Sequence, residues 1–167
     1  VDVTILLLPL SLFGTSGLPA RFIHVFKEGK ERDSFINFLF FIPFVTVIIV
    51  ALVFFSFERG IIQFLGDDAI AYSNFLDFII PLVFCYAYQY LLEGILATKS
   101  LTVFSSFFKN IFRRLVLIAL LICFSFKLID FYHLVFYYVI AHFIEVIVLF
   151  LFFKQQLKFK FQAPKLI

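Results

Sequence analysis

The chain has 167 residues, of which 63% are hydrophobic and only 15% charged, and its mean hydropathy is +1.09. Soluble domains carry about a quarter charged residues, so the composition excludes an ordinary soluble fold and reads as an integral membrane protein. The net charge of +3 does not point to a nucleic-acid partner, because the cations sit in short clusters between apolar runs and topology explains them better.

Taken in order, the first apolar run, Val3 to Ala20, is uncharged but holds Pro9, Gly14, Gly17 and Pro19. It predicts a span over about 3–25 that is not one straight helix, because proline removes a helical hydrogen bond and glycine weakens the rod. The run starts at once, with no basic stretch ahead of it, which argues against a signal peptide and predicts that a preceding helix is missing. A charged loop, RFIHVFKEGKERD, follows from Arg21. The second run predicts a span over 34–56, long enough to cross with some tilt. Residues 57–74 mix Ile61, Ile62 and Leu65 with Glu58, Arg59, Asp67 and Asp68, which predicts a short interfacial helix with a turn at Gly66.

The third run predicts a span over 75–98. Within it Tyr86, Gln89, Tyr90 and Glu93 recur at helical spacing and share one face, while Asp77 lies near the outer end. The fourth stretch, predicted as a span over 103–127, is the awkward one. Its uncharged part, Leu115 to Phe126, reaches only about 18 Å as a helix, against a bilayer core of about 30 Å. If it crosses, Lys109, Arg113 and Arg114 enter the membrane with it. A charge at helix centre costs about 2.5 to 3.5 kcal/mol unless it pairs, snorkels or faces water. The last span is predicted over 131–153, with His133, His142 and Glu145, and a basic, amphipathic tail covers 154–167. The fold class that follows is all-α: a polytopic transmembrane bundle of about five spans, part of a larger transporter fold.

Cytoplasmic loops hold most Lys and Arg. With the first run ending inside, the inner side receives Arg21, Lys27, Lys30, Arg32, Lys99, Lys109, Arg113, Arg114, Lys154, Lys158, Lys160 and Lys165, leaving only Arg59 and Lys127 outside. This predicts a cytoplasmic C-terminus and places the cations of the fourth stretch at the inner leaflet.

Two readings stand for those cations. Thr102, Ser106, Lys109 and Arg113 lie near one face, with Asn110 and Arg114 beside it, so the stripe could line a watery cavity that takes a phosphate or carboxylate, for which the arginine fork is suited. Alternatively all three snorkel to lipid headgroups. Glu93 is a candidate partner for Arg113 or Arg114, or a proton or cation site, against the plainer reading of an interfacial carboxylate. His142 and Glu145 share a face in an apolar run, and a helix-packing pair is the more frequent outcome of such a signal. Cys85 and Cys123 read as lone buried thiols. No cofactor fingerprint, metal-ligand cluster or catalytic constellation is present, so the chain reads as a non-enzyme.

LPLSLFGTSGLPARFIHVFKEGKERD and YLLEGILATKSLTVFSSFFKNIFRRLVLIALL together resemble the Wzx-type polysaccharide or O-antigen flippases of the multidrug/oligosaccharidyl-lipid/polysaccharide exporter superfamily. The first resembles the family's second helix and following loop, the second the junction of its fourth and fifth helices. The resemblance implies a fragment of a bacterial inner-membrane carrier. Its cargo would be undecaprenyl-pyrophosphate-linked oligosaccharide, flipped through a cationic cavity, with H+ or Na+ as coupling ion. It carries over Arg21, Arg113 and Arg114 as cavity cations and nothing else; Glu93 stands beside them, from its place on the helix face alone, as a secondary candidate for pairing or coupling. The alternatives are a cation-coupled drug or metabolite exporter of the same superfamily, or a membrane-embedded glycan polymerase or ligase, whose large polar outer loop has no counterpart in 57–74.

Overall fold

The computed structural model describes residues 2–12, 15–23, 25, 26, 29–57, 60 and 77–157. The expected interfacial helix at 57–74, His24, Gly14 and most of the basic tail lie outside them. The described residues are helical with no strand. Among the described residues, three helices are long and apolar enough to cross a membrane: Lys30–Ser56, Ile79–Ala97 and Phe131–Gln156.

The first run is broken, and its composition explains how. Helix α1 (Asp2–Leu12) ends where the Thr15 hydroxyl donates to the Leu12 carbonyl at 2.5 Å, satisfying one of the acceptors a helix end leaves open. A 3-10 turn at Thr15–Gly17 leads into the short α2 (Leu18–Phe22), which carries Pro19 in its first turn, where a missing N–H costs nothing. Helix α3 (Lys30–Ser56) starts four residues earlier than the apolar run because Glu31 and Asp33 suit the positive end of its dipole. Its N-cap, Gly29, sits at φ 124°, a conformation that residues with a side chain rarely adopt. The Thr46 hydroxyl donates to the Ser11 carbonyl and ties α3 to the end of α1.

Helix α4 (Ile79–Ala97) is the hub, packing against α1, α2 and α3 as well as the helices that follow. Val83, Cys85, Ala87, Gln89, Leu91, Leu92, Ile95 and Leu96 are all buried, and they cover most of its circumference. Next come α5 (Thr102–Phe107), a π-helical turn (Phe108–Phe112) and α6 (Arg113–Ser125), one continuous helical stretch about 36 Å long at about 1.5 Å per residue. Helix α6 has no buried residue and leans mainly on α7 (Phe131–Leu157).

Two apolar clusters form the interior. One gathers Ile36, Leu39 and Phe40 of α3, Leu91, Leu92, Ile95 and Leu96 of α4, and Leu149 and Phe153 of α7. The other joins Leu12, Val47, Val83 and Ala87. On α4 only Gln89 and its neighbours separate them, so a polar layer lies between two apolar ones.

The helix ends on either side of the α5–α6 stretch close the same way. Leu101 N–H bonds to Leu96 O and Leu128 N–H to Cys123 O, at 3.1 and 3.0 Å, a pattern that puts the preceding residue in the left-handed region. Those residues are Ser100 (φ 58°) and Lys127 (φ 55°). Glycine pays no steric penalty there. Ser100→Gly and Lys127→Gly should therefore each raise stability, by up to about 1 kcal/mol in denaturant titrations of the solubilised protein.

Candidate functional site

The face Tyr86, Gln89, Tyr90 and Glu93 of α4 receives the cations of the α5–α6 stretch, in a pattern that repeats one turn apart. Lys109 Nζ bonds Glu93 Oε2 at 3.0 Å and lies 4.7 Å from the centre of the Tyr90 ring. Arg113 Nη2 bonds Gln89 Oε1 at 2.7 Å, and its Cζ lies 5.2 Å from the centre of the Tyr86 ring. Each cation thus rests on an aromatic face and donates to the polar residue three positions further along α4.

Arg113 makes a second link. The same Nη2 reaches Glu145 Oε1 and Oε2 of α7 at 3.2 and 3.3 Å. Glu145 is only 2% exposed and Arg113 21%, so this pair is far drier than the Lys109–Glu93 pair, at 37% and 21%. All three of the arginine's bonds leave from Nη2. Nη1 carries no bond among the described residues, and Nε is buried without one.

Beside the pair stands His142, 1% exposed. Its ring lies edge-on to Tyr86 and Tyr138, with centres 5.0 and 4.5 Å apart. Nδ1 lies 3.0 Å from the Tyr138 carbonyl. A carbonyl only accepts, so Nδ1 carries the proton and Nε2 of the neutral ring is an acceptor. That Nε2, like Nε2 of Gln89, is buried without a partner.

Several sequence expectations change here. Glu93 pairs with Lys109 and with neither arginine, because the antiparallel packing of α5 on α4 sets Lys109, one turn before Arg113, opposite it. The stripe expected through Thr102 and Ser106 is displaced: both are exposed and Ser105 is buried, since the π turn accommodates an extra residue and shifts the face on its N-terminal side. The cations do not sit at one end of the bundle. Gln89 is near the middle of α4, Glu145 near the middle of α7 and Arg113 near the middle of 102–125, so the site is at mid-height. Arg114 is exposed with no partner among the described residues, on a surface shared with Asn110, Leu115, Leu117, Ile118 and Leu121. Arg21, in the last turn of α2, is also exposed and is not brought to the Arg113 cluster. His142 and Glu145 share a face as expected, but Glu145 accepts from Arg113 rather than from the histidine.

Cys85 and Cys123 are free, and among the described residues no group of His, Cys, Asp and Glu could hold a metal ion. The half-exposed Lys109–Glu93 pair contributes modestly. Lys109→Ala should cost about 1 kcal/mol in thermal unfolding and less at high salt, which screens exposed pairs.

No family model matches the chain, and neither a curated protein nor a solved structure matches it.

Proposed function

We propose that the chain is part of a lipid-linked oligosaccharide flippase of the bacterial inner membrane. It would be an alternating-access carrier without covalent chemistry, with about five spans in this segment and a cytoplasmic C-terminal end. In this reading the broken α1–α2 run and the continuous 102–125 stretch cross the membrane along with the three long helices. The cargo is an undecaprenyl-pyrophosphate-linked oligosaccharide, whose charge is drawn by Arg113, Arg114 and Arg21, with H+ or Na+ as coupling ion.

The observation that carries the reading is Arg114, exposed and without a partner among the described residues, at mid-height on a largely apolar surface. A cation at that depth is tolerated when it faces water or an anion, and a water-filled, anion-attracting lumen supplies both. Broken helices in transporters tend to line such cavities, which suits the break ahead of Arg21. The buried carboxylate of Glu145 favours a second reading, a cation-coupled drug or metabolite exporter of the same superfamily; transport assays with both substrate classes separate the two.

Because Arg114 makes no bond among the described residues, Arg114→Gln should leave folding intact and isolate function. In cells carrying the intact protein, Arg114→Gln should lower surface glycan at least tenfold, at unchanged membrane abundance, with the lipid-linked precursor accumulating inside. Normal glycan export by this variant would remove the reading.

A further inference from the structure

Three buried polar atoms in one layer of the bundle have no partner: Arg113 Nε, Gln89 Nε2 and His142 Nε2. Two are donors and one is an acceptor. Buried polar atoms are almost always satisfied, and losing a partner costs the whole desolvation of the group. Three such atoms around a single ion pair point to a second state of the site in which all three are used.

We propose that the Arg113–Glu145 pair is an exchangeable counterion pair: a pyrophosphate displaces the Glu145 carboxylate from Arg113, and Glu145 takes up one proton as it leaves. The proposal rests on the proposed function only for the chemistry of the ligand.

Charge makes the exchange necessary. Arg113 carries one positive charge and cannot neutralise both a buried carboxylate and an incoming phosphate. Two anions sharing one cation in a poorly hydrated layer is a state that one of them leaves by becoming neutral. The phosphate can approach through Nη1, which is free, on a side chain that is 21% exposed. Once Glu145 has left Nη2, the phosphate takes Nη2 and Nε as the side-on fork that arginine offers, and the Gln89 amide supplies a further donor.

Glu145 has a place to put its new proton. His142 stands three residues earlier on the same helix face, and neighbours at that spacing touch. The acid O–H of Glu145 can donate to Nε2 of His142, whose other nitrogen is fixed as a donor by the Tyr138 carbonyl. All three orphaned atoms are then bonded. The balance is simple: one proton moves from solvent to a Glu145 oxygen and no covalent bond breaks.

The other groups around Glu145 are accounted for. From α4, Cys85, Tyr86, Gln89 and Glu93 lie close enough to act on it, Gln89 through its amide, and Glu93 is already neutralised by Lys109. From the α5–α6 stretch, Arg113 faces it; from its own helix, His142. No second cation replaces Arg113 in this layer among the described residues.

The test uses the intact purified protein in phosphatidylcholine nanodiscs, with two probes, farnesyl pyrophosphate and inorganic pyrophosphate. Calorimetry in buffers of different ionisation enthalpy counts protons taken up per ligand bound. The wild-type protein should take up about one proton more than Glu145→Gln, and its affinity should rise relative to that variant by about tenfold per unit of falling pH. Comparing the two proteins cancels the ligand's own titration. Glu145→Gln should bind more tightly at neutral pH, because the amide leaves Arg113 free and still donates to His142. If Glu145→Gln does not fold, the appearance of a protonated-carboxyl infrared band on adding ligand to wild type decides the matter.

Tight binding of both probes assigns the site to the pyrophosphate group alone, and binding of farnesyl pyrophosphate only adds the lipid tail. Each supports the exchange when the proton is counted. Binding without proton uptake overturns the exchange and leaves the proposed function standing, whereas normal glycan export by Arg114→Gln does the reverse. No binding of either probe also overturns the exchange.

Discussion

Arg113→Ala should lower the stability of the folded protein by about 3 to 5 kcal/mol, the cost of breaking a buried pair from one side. The loss is not the strength of the bonds themselves. Removing the guanidinium leaves Glu145 at 2% exposure, Gln89 Oε1 without its donor and Tyr86 without the cation over its ring. Two charges taken from water repay their desolvation only when both are present, so the survivor carries the penalty. Acidic conditions reduce the loss by letting Glu145 become neutral. The companion experiment replaces the pair by groups of similar volume, Arg113→Met with Glu145→Leu. Because a buried pair is often no better than an apolar isostere, the double variant should recover most of the loss, falling within about 1 kcal/mol of wild type. Denaturant titration in a mild detergent measures all three proteins. If Arg113→Ala costs under 1 kcal/mol, the pair is not dry and the polar layer is not closed. If the double variant is as unstable as the single, Arg113 is needed for its contacts with α4 and not for Glu145.

Such a variant also separates stability from function. Under the proposed flippase function, a double variant that folds well and exports no glycan would show that the pair is kept for what it does and not for the fold. Buried charge retained at no gain in stability is a common mark of a working site in a membrane-embedded protein.

The three long helices were legible because each is a nearly unbroken apolar run, and the break in the first run followed from Gly17 and Pro19. The receiving face of α4 was legible too, since Tyr86, Gln89, Tyr90 and Glu93 recur at helical spacing and all four contact the cations. Which cation meets which residue was not. Partner choice depends on how far one helix slides along another, and nothing in the sequence of α5 or α4 sets that slide alone. The place of Arg113 along the bundle was not legible for a related reason. Counting basic residues assigns a helix end to a side of the membrane, but it says nothing of a cation drawn inward by a carboxylate on a third helix. Glu145 carried the missing information, and an HxxE in an apolar run looks the same whether its carboxylate meets a histidine, a lipid or an arginine from elsewhere. The π turn was illegible because FKNIF contains neither proline nor glycine to mark an irregular turn.

That turn is the subject of the second large effect. Inserting one alanine after Ile111 in Phe108–Phe112 should cost about as much as Arg113→Ala, again about 3 to 5 kcal/mol, although Ile111 is exposed at 49%. The reason is angular. A residue added to a helix turns everything beyond it by about 100° unless a π turn takes it up, and this turn already holds one extra residue. Lys109 lies before the insertion and Arg113 after it. In the native chain both face α4, Lys109 on Glu93 and Arg113 on Gln89 and Glu145. With a further residue between them they diverge, and the packed Phe104 and Phe108 hold the first half where it is, so Arg113 is the one swung away. A double-mutant cycle decides the point. In the insertion background, Arg113→Ala should add almost nothing, since the arginine has already left its partners. Deleting Ile111 instead regularises the turn to an α-helix, leaves Lys109 and Arg113 three apart on one face, and should cost far less. Costs that simply add for the insertion and Arg113→Ala would mean that the register of Phe108–Phe112 does not fix the charged layer. Non-additivity would make that register what sets Arg113 against Gln89 and Glu145.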